Sequence, residues 1–419
     1  MEYARYVGSE IAELGSDNKE ESILYPKVLI LGNQVPHLRS PSAIQLYRLF
    51  ADWPPDHLLA VGPNYHPEAE RLRCAYIEWP DPYERLERTR FRKFVRSIRH
   101  IVGLSAFSRR RIEKTLVRFR PDVVITLMES HIYYSAAFAF ASRMKLPFVL
   151  LVHDIPDIFE FDFPPGRAIR RLRDCAIYRR ASLCLLVSEE LRLELERRYR
   201  RAGGAAMVLP VLSSENDDLP SAPTRKRTQG DPFVVGYCGS LGTRYSELLK
   251  DVAAKLRGLP IQLHVYSFDA PAWCDGRASH YRGALSMAEL WATVIKECDA
   301  LLLPLTADTP RDEEMVRYSF PSKLPEYLRI GLPVIAAVPP YSAVAKWADR
   351  FESPLFVTAP DAASIVNVAS QLASSEELSR SFGTKAKRVY NEQFSPTTAR
   401  TMFRREMIRV AHSRVLRRA

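Results

Sequence analysis

No stretch of this sequence approaches the roughly 18 consecutive apolar residues that a membrane-spanning helix needs. The longest attempt, residues 132–141, is short and runs into Arg143 and Lys145. The first 23 residues also lack an apolar core. They mix Glu10 and Glu13 with Ser and Gly, which reads as a mobile tail and not as a signal peptide. The six cysteines, Cys74, Cys175, Cys184, Cys238, Cys274 and Cys298, contain no CxxC pair. Scattered through apolar runs, they read as reduced core residues of a cytosolic chain, with no disulfide framework. Carboxylates, histidines and cysteines are nowhere grouped at metal-ligand spacing, so neither a resident metal nor a bound cofactor is expected. Asp157, Glu160 and Asp162 fall in a Pro-rich loop and read as solvated.

What is present is the composition of a packed globular protein, 47% hydrophobic and 26% charged. At about 150 residues per domain, 419 residues suggest two or three cores. The net charge of +11 is local: residues 85–120 hold 13 Lys/Arg against 2 Glu, which leaves the rest of the chain about neutral. Within that patch Phe91, Phe94, Val95, Ile98, Ile101 and Val102 fall in steps of three and four, one helical face. Arg92, Lys93, Arg96, Arg99 and His100 lie opposite, and Arg109, Arg110 and Arg111 follow. A basic amphipathic helix of this kind suits an anionic membrane surface. The plainer reading packs the apolar face on the domain and leaves the cations solvated. Nucleic acid is not expected as a partner, because no exposed aromatics interleave the charges and no known module is present.

Short apolar runs alternate with amphipathic stretches. Strands are expected at 27–31, 122–127, 147–152 and 182–187, and helices at 41–51, 132–144 and 189–198. Strands with little polar alternation fit a parallel sheet covered on both faces, hence a doubly wound α/β domain. Residues 213–230 are polar and Pro-rich, as a linker would be. The alternation then restarts, with strands at 233–237, 261–266, 300–305, 333–338 and 355–358. The expected layout is a tail over 1–23, a first Rossmann-like domain over 24–212, a linker over 213–231, a second Rossmann-like domain over 232–395 and a basic helix over 396–419. In the last, Met402, Met407, Val410 and Val415 keep helical spacing. Two such domains place ligands at the carboxyl ends of their strands, in the cleft between them.

The stretch from Tyr318 to Ile335 concentrates the chemistry. A short helix is expected to start near Ser322, with Pro325 in its first turn and Gly331 just past its end. The start of a helix presents free N–H groups that favour a phosphate. Lys323 adds a full charge there, and Glu326, one turn on, has the acceptor oxygens for a ribose diol. A Pro-bounded helix with a solvated Lys–Glu face is the bland alternative. His153 ends an apolar run, where a lone His is often structural. The single Gly of Leu31-Gly32-Asn33 fits an ordinary strand-to-helix turn as well as the acceptor side of a cleft.

The run Pro321-Ser322-Lys323-Leu324, then Glu326-Tyr327-Leu328, Gly331 and Pro333-Val334-Ile335-Ala336 resembles the donor-site signature of the retaining group 1, or family 4, glycosyltransferases. Further pieces follow in the same order. Phe233 to Leu241 is similar to the strand and Gly-rich loop that open that family's second domain. His280-Tyr281-Arg282-Gly283 resembles the loop that meets the base, and Asp299 to Pro304 the strand before the donor loop. Leu151-Val152-His153-Asp154 and Leu186-Val187-Ser188 match strands of the first domain. The resemblance spans roughly residues 24–400 and implies the GT-B architecture, two facing Rossmann-like domains.

It also implies roles. Glu326 would bind ribose. Arg244 and Lys323 would face the diphosphate, with Gly239 and Ser240 letting the backbone approach it, and Arg282 and Ser322 lining the nucleotide. His153 would reach the transferred sugar, and Gly32 and Asn33 would lie on the acceptor side. Tyr318 stands where the family carries a first glutamate that contacts the sugar. A Tyr there can hydrogen-bond a hydroxyl but brings no charge at neutral pH. Asp312, Glu313 and Glu314 nearby read as a solvated acidic loop. The expected activity is metal-independent, retaining transfer from a nucleoside-diphosphate sugar, the co-substrate, to a hydroxyl of a lipid-linked or membrane-proximal glycan. Polysaccharide or glycolipid biosynthesis on the inner face of the membrane is the implied setting. The main rival is a degenerate relative that binds nucleotide or a partner without turnover. A sugar-nucleotide epimerase ranks lower, since its acid and His constellation is not visible in the first domain.

Overall fold

The computed structural model describes residues 25–38, 40–63, 70–80, 115–155, 164–199, 205–213, 225, 227–228, 230–350 and 353–416. The candidate membrane patch at Arg92, Lys93, Arg96, Arg99, Arg109, Arg110 and Arg111 lies outside them. So do Asp157, Glu160 and Asp162.

Two sheets organise the chain. The first contains β1 (Val28–Leu31), β2 (Leu58–Gly62), β3 (Ala75–Glu78), β4 (Val123–Leu127), β5 (Phe148–Val152), β6 (Leu183–Leu186) and β7 (Ala206–Val208), in the order β3-β2-β1-β4-β5-β6-β7. The second contains β8 (Phe233–Cys238), β9 (Ile261–Tyr266), β10 (Ser279–Tyr281), β11 (Ala300–Pro304), β12 (Val334–Ala337) and β13 (Leu355–Thr358), in the order β10-β9-β8-β11-β12-β13. Every ladder between these strands is parallel, as in Val28 facing both Leu58 and Val123. The central strands are buried at every residue, which is why they carry apolar side chains on both faces.

Helices cover both faces of the sheets. The first domain contributes α1 (Pro41–Leu49), α2 (His131–Arg143), α3 (Pro164–Arg180) and α4 (Glu189–Tyr199). The second contributes α5 (Gly242–Leu256), α6 (Met287–Glu297), α7 (Pro310–Tyr318), α8 (Lys323–Ile330), α9 (Ala343–Arg350), α10 (Ala362–Ser374) and α11 (Glu376–Gln393). This is the doubly wound α/β architecture expected, once per sheet. In each sheet the strand order reverses at one place, between β1 and β4 and between β8 and β11. Loops leaving the carboxyl ends there open a crevice for a ligand.

The acidic stretch Asp312-Glu313-Glu314 is not a loop. It forms the first half of α7, where the Thr309 side chain accepts from the Asp312 N–H and Pro310 takes the first helical position. Carboxylates near a helix N-terminus offset its positive end, which is why the acids favour this helix.

The last helix, α12 (Pro396–Leu416), returns to the first domain. Ala399, Phe403, Met407 and Val410 join the core formed by Val28, Phe50, Trp53 and Ile125. Phe403, and not Met402, is on the inward face. It meets Phe50 edge-on at 5.1 Å, and Arg400 pairs with Asp52 at 2.5 Å. Phe403→Leu keeps the apolar character but loses the edge-on ring contact. A loss of about 1 kcal/mol in denaturant unfolding is expected. No loss at all would show that α12 is not part of this core. Among the described residues no helix is long and apolar enough to cross a membrane.

Candidate active site

On the second domain, β8 runs into Gly239, whose φ of +132° lies in a region that side chains disfavour. A Cβ added there would sit 2.1 Å from Lys323 Nζ. The ammonium group therefore rests directly on the bare backbone of this loop. The Gly239 N–H donates to the Tyr266 carbonyl at 2.8 Å, which ties the loop to β9. Lys323 opens α8, and Gly331 closes it at φ +77°, as the sequence pattern predicts. Ser322 takes the N-cap position but makes no side-chain capping bond. Lys323 Nζ lies 4.9 Å from the centre of the Tyr237 ring, and burial lowers its pKa. Ser240 is exposed beside it, its carbonyl accepting from Tyr237 Oη at 2.5 Å. Gly239 and Lys323 thus meet at the β8/β11 crevice, with the start of α8 at the same place.

The other donor-side residues are placed less simply. Arg244 lies in the first turn of α5, and its side chain is outside the described residues. Arg282 follows β10, its N–H donating to the Val265 carbonyl at 2.9 Å and its guanidinium donating to Glu297. Glu297 also accepts from Tyr266 Oη at 2.9 Å, and the Glu297 bond raises the pKa of Arg282. Tyr318 ends α7. Its backbone carbonyl accepts from Ser188 Oγ at 2.7 Å, while its phenol lies among Glu194 and Arg198 of α4.

Glu326 departs most from expectation. It is 3% exposed, and its carboxylate is already held. Arg48 Nη2 of the first domain donates to Oε1 at 3.0 Å, and Arg329 approaches Oε2 at 3.5 Å. The reason is positional. One turn after Lys323, Glu326 lies on nearly the same side of α8, where Arg48 of α1 reaches it from the other domain. A carboxylate buried there is costly unless guanidinium groups compensate it.

On the first domain the carboxyl ends of β1, β4 and β5 bring together Gly32, Asn33, Glu129 and His153. Asn33 Nδ2 donates to Glu129 Oε2 at 3.2 Å. His153 Nε2 is buried and unpartnered, and burial lowers the His153 pKa despite the opposing charges of Glu129 and Asp154. Across the cleft, Ser319 Oγ donates to Asp154 Oδ1 at 2.6 Å. Glu129 carried no sequence expectation. It follows an apolar strand and precedes a helix, and the strand-end reasoning that selected Gly32 and His153 applies to it equally.

Residues 73–210 match the model described as Glycosyltransferase Family 4. Sucrose-phosphate synthase from Thermosynechococcus elongatus superposes with a TM-score of 0.66 at 14% identity, covering 93% of this chain and 100% of that one. A glycosyltransferase from Rickettsia africae gives 0.64 at 12% identity, covering 92% and 99%. HepE from Anabaena, in complex with UDP, gives 0.62 at 14%, covering 91% and 99%. Among curated proteins none matches. Two parallel doubly wound domains facing across this cleft are the GT-B fold, which the superposed structures share. Within that class the chain resembles the family 4, or group 1, enzymes.

Proposed function

We propose that the chain transfers a sugar, with retention, from a nucleoside-diphosphate sugar to a hydroxyl of a glycan. The contact between Lys323 and the Gly239 backbone carries this reading, because a partly buried ammonium beside a bare loop and a helix start is a cradle for a diphosphate. HepE was solved with UDP, and in another structure with UDP and glucose, which makes a uridine donor the first to test. In the proposed complex Lys323 and Arg244 hold the leaving diphosphate, whose oxygen takes the acceptor proton, so that no metal or further cofactor is required. Arg282, Ser322, Gly239 and Ser240 line the nucleotide. His153 and Tyr318 face the sugar, and Gly32 and Asn33 the acceptor. Glu326 receives the ribose hydroxyls when the cleft opens, since opening withdraws Arg48 with its own domain. A lipid-linked acceptor at an anionic membrane surface, reached through the basic patch, completes the reading.

Calorimetric titration with UDP, GDP and dTDP tests it, and at least one is expected to bind. Failure of all three would remove the donor assignment. The capture of Glu326 by two arginines favours one second reading, a nucleotide-binding relative without turnover. Binding with neither donor hydrolysis nor transfer would select that alternative.

A further inference from the structure

The first domain has its own strand-order reversal between β1 and β4, and the loops leaving those two strands carry Asn33 and Glu129. A crevice at such a reversal is where open α/β sheets bind ligands. The two side chains are joined there by the 3.2 Å bond from Asn33 Nδ2 to Glu129 Oε2. That bond orients the carboxylate and, among the described residues, leaves Glu129 Oε1 without a hydrogen bond and Asn33 Oδ1 buried without a partner. His153 leaves the next strand, β5, with Nε2 also buried and without a partner among the described residues. Polar atoms of this kind are expensive to bury unless something meets them. Asp154 beside them is engaged by Ser319 of the other domain, so it is Glu129 that has acceptor capacity to spare.

We propose that Glu129 is the acceptor-binding carboxylate, that Asn33 is its positioning residue, and that the group they take is a neutral, hydroxyl-rich sugar. The inference rests on the transferase reading above and extends it to the acceptor side. The chemistry selects the class. A carboxylate accepts hydrogen bonds from two neighbouring hydroxyls, and Asn33 Oδ1 accepts a third. Glu129 and Asp154 make the floor of this crevice anionic, which disfavours a phosphate or carboxylate on the reacting sugar. A charged headgroup or phosphate on the acceptor would therefore lie away from this spot.

The test uses the full chain loaded with UDP. Methyl glycosides of glucose, galactose, mannose and N-acetylglucosamine are titrated and read by saturation-transfer difference NMR, with UDP affinity measured separately by calorimetry. At least one glycoside is expected to bind the parent, and glucose 1-phosphate is expected to bind more weakly than methyl glucoside. Glu129→Gln should keep UDP affinity within about twofold yet weaken the glycoside about 10- to 100-fold, the range for losing a hydrogen bond to a charged group. Asn33→Ala should weaken it less, and Glu129→Asp, which keeps the charge but withdraws it by a methylene, should fall between. Equal glycoside affinity in Glu129→Gln, a parallel loss of UDP affinity, or no glycoside bound by the parent would each overturn the assignment. Loss of UDP binding by the parent itself would instead overturn the transferase reading on which it stands.

Discussion

Replacing Lys323 with Met is expected to lower transfer by about 100- to 1,000-fold, the usual effect of removing one donor from a site where charge develops, and to weaken nucleotide binding by a smaller factor. The same change is expected to stabilise the nucleotide-free protein. Lys323 is an ammonium resting on the Gly239 backbone and the Tyr237 ring, with burial as the first cause of its lowered pKa. Among the described residues no carboxylate forms a salt bridge with it. A folded-state pKa below the unfolded value means that the charged form is disfavoured by folding. The penalty is present at neutral pH, begins to relax as pH rises past the lowered pKa and is gone only above the ordinary lysine pKa, where the unfolded chain is neutral as well. Met removes it at all pH values while keeping the apolar stem, so a gain of about 0.5–2 kcal/mol is expected, as when function holds a group in a destabilised state. Nucleotide binding by the parent should correspondingly weaken as pH climbs through the range where Lys323 loses its proton, which lies below that of an ordinary lysine. Thermal unfolding with and without UDP measures both effects. Near-parental affinity in Lys323→Met would sink the diphosphate assignment.

Arg48→Ala is expected to be the most damaging single change to stability, costing about 3–5 kcal/mol, because it removes one partner from a buried ionic cluster. The Arg48 guanidinium donates to Glu326 and to the Leu212 carbonyl, and the two side chains are 15% and 4% exposed. Without it, Glu326 loses its shorter guanidinium contact, the Arg329 approach at 3.5 Å being the longer one, and the Leu212 carbonyl loses a donor. Lysine should not rescue it, since a single ammonium cannot reproduce the planar fork that reaches both acceptors. Denaturant unfolding checks the expectation, and a loss below about 1 kcal/mol would show that the pair does not tie the domains. If Glu326 also exchanges Arg48 for ribose, the surviving folded protein should bind UDP more tightly than the parent.

Much of the fold was legible because local chemistry and tertiary packing agree. β9 and β13 occupy the spans that the pattern predicts, and α8 ends at Gly331 in the left-handed conformation that glycine tolerates. α6 starts with a capping box between Ser286 and Glu289, a purely local signal. β10 was not legible because three residues give no period to detect, and β7 is equally short. α7 was misread because acids clustered behind Pro310 look like a solvated loop until Thr309 is seen to cap them. The site divided along the same line. Gly239 and Lys323 meet through a backbone conformation and a nearby charge, both foreshadowed in short motifs. Arg48 reaches Glu326 from 278 positions away, and the neighbours of Tyr318 come from α4 of the other domain. No local pattern encodes such pairings.

The return of α12 to the first domain has a mechanical consequence. The chain passes between the two sheets twice, once between Val208 and Phe233 and again between Gln393 and Pro396. The two crossings lie side by side, since Ser213 Oγ of the first is 2.7 Å from Tyr390 Oη on the helix that leads into the second. With Phe403 anchoring the second crossing in the core of the first domain, a motion of one domain against the other would pivot near that pair. A pivot of that kind would part Ser319 from Asp154, which the structure holds at 2.6 Å, and restore the same contact on closing.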